Sequence, residues 1–275
     1  MPELPEVETI RRTLEHLIAG KTVEKVDVFW PKMIKRPDDA KEFARLLEGK
    51  TVQTIARRGK FLKFVFDDTV LVSHLRMEGR YSVHSEPKEP KNKHVHVIFT
   101  FTDGTELRYQ DVRKFGTMHL FPKGEEERFP PLSELGVEPF SKQFTLEFLY
   151  HKLQKTKRTI KTTLLDQKIV VGIGNIYADE ALFRAGIHPL TAASEIAKDK
   201  AAALHEAIRM TLKKAVEEGG TTVRSYVNGA GDMGMFQQYL YVYGRKNEPC
   251  RRCQTMIEKI KVGGRGTHYC PKCQK

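Results

Sequence analysis

All four cysteines of the chain lie near its C-terminus, in two pairs of the form C-x2-C. The pairs are Cys250 with Cys253 and Cys270 with Cys273, and sixteen residues separate them. This spacing is typical of a tetrahedral four-thiolate zinc site, in which the metal organises a segment too short to bury a core of its own. The sequence therefore predicts one structural Zn²⁺. Two disulfides are the alternative. It is disfavoured because the N-terminus has no apolar signal segment, which predicts a cytoplasmic location where thiols stay reduced.

A glycine-rich turn, Gly263-Gly264-Arg265-Gly266, lies between the two cysteine pairs. The surrounding segment 244–275 holds nine Lys and Arg residues against two Asp and Glu residues, and the whole chain has a formal net charge of +12. A cation on such a turn, within so basic a segment, is suited to contact a polyanion, so we expect a nucleic-acid partner. Net charge alone also fits an ordinary basic protein.

The N-terminal half changes its apolar period after the first helix. Residues 5–18 carry apolar side chains at helical spacing, and Gly20 is a suitable end for that helix. From about residue 22 to residue 121 the period is two, and short β-type runs alternate with turns. Asp103-Gly104 is a strong hairpin signal. This half is therefore predicted to be an antiparallel β-sandwich that follows a single helix.

The C-terminal half is helical up to the zinc segment. Residues 133–218 have helical periodicity, and Gly219-Gly220 ends the last and longest helix. Residues 219–238 are rich in Gly, Thr and Asn and predict a long loop, which in a compact protein is more often functional than accidental. The inner part of the zinc segment predicts a β-hairpin.

The second and third residues have chemistry that matters if Met1 is removed, as a small following residue favours. Pro2 would then carry a free secondary amine, and an α-amino group of pKa about 7.7–8 is partly unprotonated near neutral pH. Such an amine attacks an aldehyde carbon to give an iminium, a cationic electron sink. The neighbouring Glu3 could act as a general acid or base. By local sequence alone, a simple lead into the first helix is the better interpretation of both residues, because Pro and acidic residues are common there.

Several unrelated motifs occur in order along the chain and together resemble the formamidopyrimidine-DNA glycosylase family of bifunctional DNA repair enzymes. The motifs are PELPEVE at 2–8, RRGKFL at 57–62, HLRMEGR at 74–80, DVRKFG at 111–116, VVGIGNIYADE at 170–180 and the terminal cysteine pairs. The PELPE opening favours the oxidised-purine branch over the endonuclease VIII relatives.

The resemblance implies an α+β multidomain fold with three parts. They are an N-terminal catalytic β-sandwich with a leading helix (1–131), a helical helix-two-turn-helix DNA-binding domain with a lesion-capping loop (132–239) and a C-terminal β-hairpin zinc finger (240–274). The implied partner is damaged double-stranded DNA. We expect a cytoplasmic monomer with no membrane partner, because no apolar run approaches the roughly 18 residues of a membrane span.

The resemblance also implies four catalytic residues. Pro2 is the nucleophile that forms a Schiff base with C1′, and Glu3 is the proton donor that helps to open the sugar and expel the base. Lys60 assists β-elimination, and Arg265 is associated with δ-elimination. Because arginine does not readily give up a proton, we expect Arg265 to clamp phosphate and stabilise charge. Without the motif, a solvated lysine at the end of a strand is the better interpretation of Lys60.

Three further residues are implied to fill the gap left when the damaged nucleotide leaves the stack: Met77, Arg113 and Phe115. From periodicity alone, Met77 and Phe115 fit the core of the sandwich better. The remaining implied DNA contacts are Asn175, predicted as the N-cap of a phosphate-binding helix start, and His94 and Lys157. His94 also fits a surface histidine, and Lys157 a solvated basic run.

The resemblance implies excision of oxidised purines such as 8-oxoguanine and formamidopyrimidines, followed by strand cleavage through β- and δ-elimination. Two alternatives stay open at this point. One is a pyrimidine-preferring relative with the same chemistry. The other is a non-catalytic zinc-finger DNA-binding protein, which retention of Met1 would favour.

Overall fold

The computed structural model describes residues 1–85, 90–221 and 234–275, and the chain divides into two compact units. The first unit contains residues 6–134 together with Met1 and Pro2. The second contains residues 3–5, 135–221 and 235–275. Most of the predicted lesion-capping loop, at 222–233, lies outside the described residues.

The first unit is a β-sandwich built on the leading helix. Its elements are α1 (Leu4–Ile18, from Glu6 onward), β1 (Val23–Val28), β2 (Ile34–Arg36), α2 (Ala40–Leu47), β3 (Thr54–Arg58), β4 (Phe61–Val65), β5 (Thr69–His74), β6 (Arg80–His84), β7 (Val95–Phe101), β8 (Glu106–Gln110) and β9 (Thr117–Pro122). One sheet has the order β1-β7-β8-β6 and the other β2-β9-β5-β4-β3. All pairs are antiparallel except β2 with β9.

Apolar side chains from both sheets and from α1 form one buried core, as the period-two pattern predicts. The Asp103-Gly104 hairpin joins β7 to β8, with Gly104 at φ +82°. Helix α2 was not predicted, although Asp39 caps its Lys41 and Glu42 amides at 2.7 and 3.1 Å. Its buried face is only Phe43 and Leu47, too short a pattern to separate from the strands around it.

The second unit combines four helices with the hairpin. They are α3 (Leu146–Gln154), α4 (Ile160–Leu164), α5 (Asn175–Ala185) and α6 (Lys198–Glu217), followed by β10 (Glu258–Val262) and β11 (Arg265–Tyr269). Gly219 and Gly220 follow α6 at φ +73° and +82°, as expected for a helix end. The architecture agrees with the predicted fold class. In the part of the chain that the structure describes, no helix is long and apolar enough to cross a membrane.

Candidate functional site

Glu3 is a buried carboxylate held by the start of α5. Its Oε2 accepts N–H bonds from Gly174 at 2.7 Å and Tyr177 at 3.3 Å, and its Oε1 accepts one from Ile176 at 2.9 Å. The side chain is 3% exposed. Because the N-terminus of a helix carries unpaired N–H groups and a positive dipole end, it stabilises a negative carboxylate. Glu3, which directly follows Pro2 in the sequence, therefore has its carboxylate held in one position.

This contact corrects the predicted role of the helix start. Gly174, not Asn175, is the N-cap residue, and Asn175 is the first residue of α5. The N–H groups expected to bind phosphate are donated to Glu3, since a carboxylate of the same chain already fills the position. The side chain of Asn175 points elsewhere, with Nδ2 donating to Gly266 O at 2.8 Å. The DNA contact of Asn175 stays a prediction.

The two glycines before α5 allow the N-terminal segment to approach this closely. A Cβ on Gly174 would lie 2.3 Å from Glu3 Cδ, and a Cβ on Gly172 would lie 2.6 Å from Leu4 Cβ. Leu4 N also donates to Gly172 O at 3.0 Å. The glycines of the GIGN motif thus serve a close approach of two parts of the second unit, in addition to any contact with a ligand.

Lys60 belongs to the first unit and is 5% exposed, so it is not a solvated lysine at a strand end. It follows Gly59, which turns the chain between β3 and β4 at φ +56°. Arg57 braces this turn by donating to Gly59 O at 2.9 Å and to Glu8 at 3.1 Å. Burial, the largest influence, acts to raise the pKa of Glu8, but the Arg11 and Arg57 guanidinium groups lower it overall.

Met77 and Phe115 are not core residues, because Met77 is 37% exposed and Phe115 is 51% exposed. Each follows a residue with left-handed backbone, Arg76 at φ 53° and Lys114 at φ 59°. Arg113 is exposed too, and its guanidinium carbon lies 4.7 Å from the centre of the Phe115 ring. These turns hold apolar side chains out in solvent, which period-two reasoning cannot detect.

Asp111 shapes the turn that carries Arg113 and Phe115. Its Oδ1 accepts the Arg113 N–H at 3.0 Å, and its Oδ2 accepts those of Phe115 and Gly116 at 2.8 Å each. The side chain is 1% exposed. A buried carboxylate that satisfies three amides fixes this turn firmly.

His94 lies near the same turn. Its carbonyl accepts the Asp111 N–H at 3.0 Å, and its half-buried side chain lines a cavity of about 260 Å³ with Met77, Asp111 and Val112 among the other lining residues. Within the first unit, then, His94 and Met77 line one cavity, and the turn that continues to Arg113 and Phe115 forms part of its wall. Lys157 is exposed in the loop between α3 and α4, away from any helix or strand, and its predicted DNA contact stays a prediction.

The turn that carries Met77 depends on a neutral histidine. His74 Nδ1 accepts the Arg76 N–H at 2.9 Å, which only an unprotonated Nδ1 can do. Burial, helped by the charges of Arg76, Lys60 and His119, lowers the pKa of His74 to about 3. The unfolded chain instead takes up this proton near pH 6.5.

We therefore expect the first unit to lose stability as the pH falls from about 6.5 towards 3, since only the unfolded state binds the proton there. Between pH 7 and pH 5 the loss attributable to His74 is about 2 kcal/mol. Urea unfolding at both pH values, compared with His74→Asn, measures it, because the Asn Oδ1 takes the acceptor position without titrating. Equal pH dependence in the two proteins would contradict the assignment.

Arg265 is exposed at the start of β11. The hairpin behind it is held by α5: Asp179 Oδ2 accepts the His268 N–H at 2.9 Å, and Asp179 Oδ1 accepts from the buried Lys161 Nζ at 2.5 Å. Glu180 holds the chain that enters the zinc segment by accepting N–H bonds from Tyr241, Val242 and Tyr243, each at 2.9 Å. Sequence reasoning missed Lys161, Asp179 and Glu180.

The four cysteines form one cluster, as predicted. Their Sγ atoms all lie within 4.8 Å of one another, with Cys250–Cys273 at 3.9 Å and Cys253–Cys270 at 3.5 Å. A tetrahedron with Zn–S bonds of about 2.3 Å has sulfur–sulfur separations of about 3.8 Å. The arrangement fits one Zn²⁺ held by four thiolates. That sphere leaves no open position, so the metal is structural.

Comparison with known proteins identifies the family. Family models match residues 1–118 (formamidopyrimidine-DNA glycosylase N-terminal domain), 135–227 (formamidopyrimidine-DNA glycosylase H2TH domain) and 247–275 (zinc finger found in FPG and IleRS). Among similar proteins, the formamidopyrimidine-DNA glycosylases of Shouchella clausii and Bacillus licheniformis are each 64% identical. The alignments cover 100% of this chain and 99% and 100% of theirs. The chain belongs to the formamidopyrimidine-DNA glycosylase family.

Solved structures of the family agree with this assignment. The Lactococcus lactis Fpg in complex with abasic-site DNA is 40% identical with a TM-score of 0.92, and 99% of each chain is covered. The same enzyme with DNA containing N7-benzyl-Fapy-dG is 41% identical with a TM-score of 0.93, and 100% of each chain is covered. The family resemblance, the fold class and the enzyme class, a DNA glycosylase with AP lyase activity, are confirmed. So is the structural zinc site.

Proposed function

We propose that the chain is a bifunctional base-excision repair enzyme that removes oxidised purines, such as 8-oxoguanine and formamidopyrimidines, from duplex DNA and then nicks the strand. The observation that carries the proposal is the Glu3 carboxyl, which is buried and held by three N–H donors at the start of α5. Glu3 directly follows Pro2, the potential N-terminal amine, in the sequence. Relatives that bind abasic-site and Fapy-dG DNA support the substrate class.

The chemistry begins with Pro2, after removal of Met1. Its secondary amine bonds to C1′ as the bond from C1′ to the damaged base breaks, and the base leaves with a proton. Opening of the sugar ring, with a proton delivered to O4′, leaves a cationic iminium. Glu3 is the residue proposed to supply that proton: its carboxylate takes up the proton that the Pro2 nitrogen loses on bonding to C1′ and passes it to O4′. The departing base takes its proton from water.

The iminium then drives both cleavage steps. It makes the hydrogen on C2′ acidic. Loss of that hydrogen as a proton breaks the C3′–O bond and releases one phosphate. Loss of a proton from C4′ breaks the C5′–O bond and releases the other. Lys60 is proposed to assist the first elimination. It is buried and follows the Gly59 turn, whose carbonyl accepts a hydrogen bond from Arg57. Arg265 is proposed to stabilise the departing phosphate of the second.

The DNA-contacting roles proposed for Met77, Arg113 and Phe115 rest on their exposure at two fixed turns. Exposed apolar side chains next to a planar cation can fill the space of an extruded nucleotide and pair with the orphaned base. His94, Lys157 and Asn175 are proposed phosphate or sugar contacts. Monomeric state and cytoplasmic location stay predictions.

Borohydride reduction tests the proposal, because it traps a Schiff base as a stable covalent adduct. With an 8-oxoguanine duplex we expect an adduct that maps to Pro2, and weaker trapping for Pro2→Gly, whose primary amine is a different nucleophile. Pro31→Gly, an exposed proline remote from the N-terminus, is the matched control and should trap like the unmodified protein.

Three outcomes decide against the proposal. Undiminished trapping in Pro2→Gly through another amine would remove Pro2 from the mechanism. Retained Met1 in the purified protein, found by mass spectrometry, would favour a non-catalytic DNA-binding protein. Faster release from a thymine-glycol duplex than from an 8-oxoguanine duplex would replace the purine preference by a pyrimidine preference.

A further inference from the structure

The tip of the zinc hairpin is attached to α5 by two side chains one helical turn apart. Asn175 Nδ2 donates to Gly266 O at 2.8 Å, and Asp179 Oδ2 accepts the His268 N–H at 2.9 Å. Residues four apart lie on one face of a helix, so these two contacts form a single strip of α5 against β11. Arg265 is the residue directly before this attached stretch.

A close packing contact lies on the other side of Arg265. Gly263 has φ +55°, and a Cβ there would lie 2.4 Å from Thr162 Cγ2 of α4. The backbone of the tip therefore rests directly on α4, with no room for a side chain. Arg265 therefore lies between a packing contact with α4 and two hydrogen bonds with side chains of α5.

Lys161 joins these two helices underneath the tip. It is completely buried, and its Nζ donates to Asp179 Oδ1 at 2.5 Å and to Asn175 O at 3.0 Å. Burial, as the largest influence, lowers the pKa of Lys161, whereas Asp179 and Glu3 act to raise it and Arg265 to lower it. The ammonium therefore lies within electrostatic range of both Glu3 and Arg265.

A buried ion pair in this place is expensive to form and is weak evidence for stability alone. The ion pair instead fixes an orientation. One oxygen of Asp179 accepts from Lys161 and the other accepts from the hairpin backbone. Asp179 can accept from both donors only when β11 is in one position. A hydrophobic pair of the same volume would pack here without fixing that position.

We propose that Asp179, oriented by Lys161, is a positioning residue for Arg265. It sets where the tip cation lies relative to α4 and α5, and it touches neither DNA nor the reacting atoms. The proposal rests on the proposed function in one respect, the use of Arg265 in δ-elimination. The attachment of the hairpin through Asp179 stands independently of that use.

Two double variants separate the hydrogen bond from the charge. Lys161→Met with Asp179→Asn removes both charges but leaves an Asn oxygen to accept the His268 N–H. Lys161→Met with Asp179→Leu removes the charges and the acceptor. Neither leaves an unpaired buried charge, which would unfold the protein for an unrelated reason.

Hydrogen exchange of the full-length zinc-loaded protein is the first measurement. In the Leu double variant we expect the amides of residues 265–269 to exchange about tenfold faster or more, because a buried donor loses its acceptor. Exchange in α6 and the zinc content should not change. At these residues the Asn double variant should exchange more slowly than the Leu double variant, because its Asn oxygen still accepts the His268 N–H. It should exchange faster than the unmodified protein, because Lys161 no longer orients that oxygen.

The second measurement is the ratio of β,δ-product to β-product on an abasic duplex, with borohydride trapping in parallel. We expect the Leu double variant to lower this ratio by roughly 10- to 100-fold, as misplacement of a catalytic group does, with little change in trapping. The Asn double variant should keep a higher ratio than the Leu double variant, because it keeps an acceptor for the His268 N–H.

Equal exchange in the two double variants, or an equal product ratio despite different exchange, would overturn the positioning role. Zinc loss or faster exchange in α6 of the Leu variant would also overturn it, since Asp179 would then be a general stability residue. If the unmodified protein forms no borohydride adduct, the proposed function fails instead, and the exchange comparison still decides the attachment.

Discussion

A Gly174→Ala variant is expected to lose about 10²- to 10⁴-fold of its base-excision rate while it keeps its fold. The N-cap conformation of Gly174, with φ −128°, is open to alanine. The added Cβ would instead lie 2.3 Å from Glu3 Cδ. One of the two must move, and we expect the Glu3 carboxyl to be displaced, because the atoms that the Cβ meets belong to its side chain.

The loss should therefore act through Glu3, which a double-mutant cycle can show. Glu3→Gln alone removes the transferable proton and should cost a similar factor. If alanine acts only by displacing the carboxyl, then Gly174→Ala in the Glu3→Gln background should cost little more than Glu3→Gln alone.

Single-turnover excision from an 8-oxoguanine duplex measures all four rates, and thermal unfolding checks that each protein is folded. Fully additive losses would contradict the argument, because they would mean that Gly174 acts independently of Glu3. Unimpaired Gly174→Ala would show that Glu3 needs no fixed position.

The same pair of residues shows where prediction from the sequence ends. The opening residues and the GIGN motif were each singled out, but the contact between Glu3 and Gly174 spans 171 residues. Local patterns report helices, strands and turns; they do not report which carboxylate fills a helix N-terminus. The sequence consequently predicts phosphate on these N–H groups and Asn175 as the N-cap, whereas the structure has the Glu3 carboxylate there and Gly174 as the N-cap.

Burial of charge was equally hidden. Lys161 lies in a basic run that fits a solvated surface, and only its pairing with Asp179, 18 residues further on, explains its burial. Met77 and Phe115 fit a sandwich core by period, and left-handed residues before them turn both outward. The zinc site was predictable because its ligands are consecutive pairs whose spacing alone defines the geometry.

Removal of zinc is expected to weaken damaged-duplex binding on the order of 100-fold or more while the first unit stays folded. The buried apolar group around the metal is small: Phe183, Val242, Cys250, Ile257 and Cys270. Two of these five are zinc ligands. Since structural zinc supplies roughly 10–16 kcal/mol in zinc-finger peptides, so small a group cannot replace it.

Without the metal, the hairpin that carries Arg265 should unfold, beginning at the ends of its strands that lie next to the cysteines. The contacts of Asp179 and Asn175 hold the tip, but they are too few to order the strands between. The first unit has its own core from two sheets and α1 and contains no cysteine, so chelation should leave its unfolding transition unchanged.

Chelator titration with duplex binding at one fixed salt concentration measures the loss, and added Zn²⁺ should restore it. Arg265→Ala is the matched control, because it removes the tip cation and keeps the metal. Binding by the chelated protein should fall well below that of Arg265→Ala, since the whole basic segment 244–275 loses its arrangement as well as one charge. Equal affinities in the two would reduce the role of zinc to placing a single arginine, and unchanged affinity after chelation would remove the hairpin from the DNA-binding surface.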